Sequence, residues 1–168
     1  MCDDEFYKNK ELFVKLFTKH FPYVQHNHKS HANVVIWGIG ANIGNCIKTF
    51  EKLFTCLANH PHVQIHSTAY IYKNPPFGYK MQADFYNTSI IFSTPLSLRT
   101  IFTLMFYFER KLGRERVRLF KNAARTLDID LIFYARKHAK LKHMYIPHKD
   151  YNNRQSVLNP LTFQLGLF

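Results

Sequence analysis

The sequence predicts an α+β domain whose strands and helices follow in the order βαββαβ. This order gives a mostly antiparallel sheet with helices on its faces, preceded by a short helical extension. Three observations predict it. Two stretches space apolar side chains three and four apart: Ile47, Phe50, Leu53, Phe54 and Leu57, then Leu98, Ile101, Phe102, Met105 and Phe106. Four runs rich in β-branched and aromatic residues, at 34–37, 63–72, 85–92 and 127–133, flank those stretches. A length of 168 residues with 46% hydrophobic side chains is enough for one domain with a packed core.

Taken in order, residues 3–19 carry Phe6, Phe13, Leu16 and Phe17 behind acidic first-turn residues, which predicts an amphipathic helix limited by Pro22. The polar segment to Ala32, with His26, His28 and His31, reads as a linker, so residues 1–32 form an extension and 33–168 the main domain. The run Val34, Val35, Ile36, Trp37 predicts a strand that ends in a glycine turn, Gly38-Ile39-Gly40-Ala41-Asn42-Ile43-Gly44. The first helix follows and stops before Pro61. The glycine spacing is not G-x-G-x-x-G, and no acid lies where a ribose-binding one should, which disfavours a dinucleotide site.

Two strands at 63–72 and 85–92 are separated by Asn74-Pro75-Pro76-Phe77-Gly78-Tyr79, where tandem prolines predict a stiff extended loop. Thr94-Pro95 opens the second helix, whose stripe reaches Glu109 and Leu112 and which stops at Gly113. A basic loop, 114–125, then leads into Arg125-Thr126-Leu127-Asp128-Ile129-Asp130. Beyond it, 135–142 reads as a turn or exposed hairpin, 144–148 as a short edge strand, and Gln155 opens a helix packed through Leu158, Leu161 and Leu165.

The acid pair carries the chemistry. In a strand, Asp128 and Asp130 share one face while Leu127, Ile129, Leu131 and Phe133 share the other. Adjacent carboxylates resist double ionisation unless a cation lies between them, and Mg²⁺ is commonly held by one or two carboxylates plus phosphate oxygens. A solvated acidic strand face is the plain alternative for Asp-x-Asp by itself. The neighbouring cationic loop admits nucleic-acid contact or arginines that clamp phosphate.

The net charge of +12 calls for an anionic partner: nucleic acid, an acidic membrane surface or a polyphosphate. Three cysteines, Cys2, Cys46 and Cys56, show no zinc spacing and no disulfide framework. The acidic N-terminus is unlike a signal peptide and no apolar run is long enough to span a bilayer, so a cytoplasmic protein is expected, with no membrane partner.

These motifs, in this order, make the chain resemble the 6-hydroxymethyl-7,8-dihydropterin pyrophosphokinase family over about 34–161. The resemblance rests on Gly40-Ala41-Asn42-Ile43-Gly44, Tyr72 with Pro75-Pro76-Phe77-Gly78, Gln82 with Asp84-Phe85-Tyr86-Asn87, Glu109 with Gly113-Arg114 and Arg116, Arg125 to Asp130, Pro147-His148 and Arg154. It implies a ferredoxin-like βαββαβ sandwich that moves pyrophosphate from ATP, its co-substrate, to 6-hydroxymethyl-7,8-dihydropterin and releases AMP. Asp128 and Asp130 would hold two Mg²⁺ ions, and Arg114 and Arg125 would steady the phosphates. Glu109, Arg116, Leu131, His148 and Arg154 would bind ATP. Asn74, Pro75, Phe77, Phe85 and Asn87 would form the pterin pocket, with Phe85 stacked on the ring and Asn87 bonded to its edge.

The resemblance further implies ATP and the pterin as the partners, no nucleic acid, and a monomer. The chain departs from the family pattern in four places: Ala41 replaces a serine, Asn122-Ala123-Ala124 replaces a segment with tryptophan, Lys149 replaces a tyrosine, and Ser156 replaces the aromatic that forms the second face of the pterin sandwich. Tyr79 and Phe120 are the sequence candidates to stand in for that ring. Two rival readings remain at this level, an RNA-binding module of the same strand order and a decayed relative that binds nucleotide only.

Overall fold

The computed structural model describes residues 13–26, 33–76, 81–113, 124–141, 144–149 and 151–167. Within them the strands are β1 (Val14–Leu16), β2 (Tyr23–Val24), β3 (Asn33–Ala41), β4 (Gln64–Thr68), β5 (Ile71–Asn74), β6 (Phe85–Thr94), β7 (Asp128–Tyr134), β8 (Ala139–Leu141) and β9 (Met144–Ile146). The helices are α1 (Cys46–Ala58), α2 (Leu98–Lys111) and α3 (Gln155–Leu165). The main sheet runs β1-β5-β6-β3-β7, with β4 also pairing β6 and β2 pairing β4, and every pairing in it is antiparallel. The hairpin β8–β9 stands as a separate two-stranded sheet.

The two central helices form where periodicity places them, with faces slightly turned. Asn45 caps α1, its side chain accepting from Lys48 N at 2.9 Å, and Phe50, Leu53, Phe54 and Leu57 are buried. Cys46 takes the inward place expected for Ile47, which is exposed. Ser97 caps α2, and Ile101, Met105, Phe108 and Glu109 are buried, whereas Phe106 points outward. Both helices cover one face of the sheet, against Val35, Trp37, Ile39, Ile90, Phe92, Ile129 and Leu131. Helix α3 covers part of the other face, where buried Gln164 donates to Ser67 Oγ at 2.8 Å and accepts from Ser89 Oγ. Leu161 is buried there, but Leu165 is exposed rather than packed.

The structure corrects three further expectations. The helix expected over 3–19 lies partly outside the described residues, and its described end is a strand: Val14, Lys15 and Leu16 pair with Lys73, Tyr72 and Ile71. The open edge of β5 offers backbone donors and acceptors that a short, weakly periodic segment satisfies more fully as a strand. Residues 13–26 are therefore woven into the sheet, and Phe21 is fully buried in the core. The run 63–72 breaks at Ala69–Tyr70 into β4 and β5, both laid along β6.

The third correction bears on the site. The expected strand at 34–37 continues through Gly38 and Gly40 to Ala41, so these glycines belong to β3 rather than to a turn. A bulge where β3 meets β7 sets Ile36 opposite Phe133 and Trp37 opposite Leu131, leaving Ile132 as an extra residue. Alternation resets there: Tyr134 joins the core in place of Phe133, which meets the Tyr151 ring at 5.0 Å. Among the described residues, no helix is long and apolar enough to cross a membrane. Cys46 and Cys56 are free thiols.

Candidate active site

The site lies on the sheet face opposite α1 and α2. Register places Gly40 of β3 between Asn87 of β6 and Asp128 of β7, and Gly38 between Ser89 and Asp130. Cross-strand partners share a face, so two side-chain-free positions open a trough between the amide of Asn87 and the acid pair. A Cβ at Gly40 would lie 3.2 Å from Asn87 Oδ1, and one at Gly38 would lie 3.2 Å from Ile132 Cδ1. The trough is the floor of a cleft of about 540 Å³, walled by Asn74, Gln82, Phe85, Arg125, residues 153–157 at the start of α3, and Phe13.

At one end are the acids. Arg125 Nη1 pairs with Asp128 Oδ2. Burial, and the Asp128 carboxylate beside it, push the Asp130 carboxyl above the ordinary carboxylate range, although His148, Arg154 and Arg125 pull it down. Burial therefore makes ionisation of Asp130 costly, a cost that a further cation beside the pair would reduce. Among the described residues, no group of three or more His, Cys, Asp or Glu comes together. A cation here would take the two aspartates and complete its shell with water and phosphate oxygens, a donor set that suits Mg²⁺. Arg125 Nε and Thr126 Oγ1 are buried with no hydrogen-bond partner among the described residues, and Arg125 also lines the cleft, where its guanidinium can meet an oxyanion.

Two buried side chains hold this end in place. Glu109 of α2 accepts from Ile129 N at 2.9 Å, fixing the residue between the aspartates. Asn42, at the end of β3, accepts from Arg125 N at 2.8 Å through Oδ1 and donates to Gln82 Oε1 at 3.3 Å. Backbone bonds from Asn42 N and Ile43 N to Arg125 O, at 2.9 and 3.2 Å, complete the clasp. At the other end Asn87 donates to Asn74 Oδ1 at 2.7 Å, and Asn74 in turn donates to Pro75 O at 2.8 Å. Phe85 stands one strand repeat from Asn87, on the same face, and its register partner is Asn74.

A family model described as 7,8-dihydro-6-hydroxymethylpterin-pyrophosphokinase (HPPK) matches residues 36–164. The chain belongs to the HPPK family. The 2-amino-4-hydroxy-6-hydroxymethyldihydropteridine pyrophosphokinase of Helicobacter pylori is 41% identical over 153 residues, 91% of this chain and 94% of the relative. The enzyme of the same name from Campylobacter jejuni is 37% identical over 150 residues, 88% of this chain and 94% of the relative. That from Bacillus subtilis is 29% identical over 129 residues, 77% of this chain and 76% of the relative.

Of the site residues expected from HPPK resemblance, Asn74, Phe85, Asn87, Arg125, Asp128, Asp130 and Arg154 all line the one cleft. His148 donates its backbone N–H to Ile132 O at 3.0 Å, and it is among the groups that pull the Asp130 carboxyl down. Glu109 acts on the β7 backbone, and the Leu131 side chain packs into the core, away from the cleft. Pro75 supplies a carbonyl to Asn74. Phe77, Arg114 and Arg116, with Tyr79 and Phe120, lie outside the described residues. Sequence reading missed Phe13, the clasp of Asn42 and Gln82, and the in-strand place of Gly38 and Gly40. The Gly-x-Gly spacing was the signal for the last, since it repeats with the two-residue period of Asp-x-Asp.

Proposed function

We propose that the chain transfers pyrophosphate from ATP to 6-hydroxymethyl-7,8-dihydropterin in a Mg²⁺-dependent reaction of folate biosynthesis, releasing AMP. The observation that carries this is the glycine-floored trough joining the acid pair to the Asn74, Phe85 and Asn87 corner within one cleft. Asp128 and Asp130 would hold Mg²⁺. The bound ions would neutralise the polyphosphate and draw the phosphates and the acceptor hydroxyl together. Arg125, already fixed by Asn42 and Asp128, presents its guanidinium beside that position, and Arg154 adds a second cation to the same cleft.

At the far end the pterin would lie with one ring face on Phe85 and its polar edge on the Asn87 amide. Its hydroxymethyl group would point along the trough toward the aspartates, placing the hydroxyl oxygen for attack on the β-phosphorus while AMP leaves. Catalysis would come from positioning and charge, with no covalent intermediate on the protein. An RNA-binding role is disfavoured because Asp128 and Asp130 would put two carboxylates on the sheet face where the nucleic acid would lie. The test is nucleotide analysis of the purified chain: AMP and a pterin diphosphate form only when ATP, Mg²⁺ and the pterin are all present. ADP as the product, or AMP released without pterin, contradicts the proposal.

A further inference from the structure

Ser156 lines the cleft with a small hydroxyl where the family resemblance implies an aromatic ring, yet the cleft does contain a second aromatic side chain. Phe13 lines it together with Phe85, Asn87 and Ser156. It comes from the N-terminal segment. Val14 pairs with Lys73 and Lys15 with Tyr72, so the same antiparallel register carries Phe13 beside Asn74. Alternation then puts Phe13 on the face of Tyr72 and Asn74, which is also the face of Asn87, Gly40 and Asp128.

Phe13 is half-buried and takes no part in the hydrophobic core among the described residues, where the same segment contributes Phe21 instead. A phenyl ring held at a cleft wall without a core to fill is available to a flat ligand. It is also held firmly, because the segment behind it is tied down at three points. These are β1 on β5, β2 on β4, and Glu51 accepting from Thr18 Oγ1 at 2.6 Å and from His20 N at 3.1 Å.

We infer that Phe13 supplies the second aromatic wall of the pterin subsite, in place of the ring absent at Ser156, so that the N-terminal strand is part of the substrate site. This rests on the pyrophosphokinase reading above. The experiment measures 6-hydroxymethylpterin binding to the full chain by calorimetry, with Mg²⁺ and a non-hydrolysable ATP analogue saturating, and separately the affinity for that analogue. Phe13→Ala weakens pterin binding about ten-fold or more, as expected for loss of one ring stack, while analogue affinity stays within about two-fold. Phe13→Tyr binds as the wild type does, and adding Ser156→Phe to Phe13→Ala restores most of the loss. Undiminished pterin binding by Phe13→Ala, or equal loss of pterin and analogue binding, overturns the inference and leaves the pyrophosphokinase reading standing. Absence of pterin binding by the wild-type chain overturns both.

Discussion

A methyl group at Gly40 would meet Asn87 Oδ1 at 3.2 Å, a distance that the amide, already tied to Asn74, can relieve only by moving. Gly40→Ala therefore raises the pterin KM by up to about ten-fold, the worth of one neutral hydrogen bond, with nucleotide affinity unchanged. Steady-state kinetics with each substrate varied in turn checks this, and an unaltered pterin KM contradicts it. The acid pair was legible at this scale because Asp-x-Asp has the period of a strand. The glycines were less so, because Gly-Ile-Gly after a β-branched run has the composition of a turn as well as the period of a strand, and pairing on both sides of β3 decides for the strand. Asn42 was equally opaque: its role depends on Arg125, a residue distant in the chain.

Among the elements, the helices and the long strands were legible from local periodicity, while the N-terminal segment was not. Phe13, Leu16 and Phe17 fit a helical stripe, yet the edge of β5 and a place for Phe21 in the core decide its form. A second tie secures it to α1, where the His20 ring stacks on Phe54 at 4.1 Å and its Nδ1 lies 2.5 Å from Glu51 Oε2. Burial raises the Glu51 carboxyl, but hydrogen bonds from Thr18 and His20 outweigh burial and hold it below the ordinary range. A lowered carboxyl stabilises the fold above its unfolded pKa and loses that contribution as pH falls through the folded one. Glu51→Gln thus costs about 1 kcal/mol at pH 7, discounted for partial exposure, and lowers Tm by about 2–4 °C. Thermal melts as a function of pH show the gap closing below about pH 4.3; a gap that persists there contradicts the hydrogen-bond account.

At the scale of the whole molecule, one sheet separates two tasks. Its α1 and α2 face carries the core, and the opposite face is divided between α3 and the cleft. The net charge of +12 signalled an anionic partner but not its place. The fold locates part of that charge: Arg125 sits three residues before Asp128, and Arg154 is brought to the same cleft from the start of α3. The measurement that tests this arrangement most directly is the Mg²⁺ dependence of AMP formation by the wild-type chain and by Asp130→Asn, with thermal melts of both in the absence of ligands. The account predicts that turnover of the variant falls by about 100-fold or more at any Mg²⁺ concentration. It also predicts that the unliganded variant melts no lower than the wild type, because it sheds a carboxylate whose ionisation the site resists. Turnover by Asp130→Asn equal to the wild type at ordinary Mg²⁺ would contradict it.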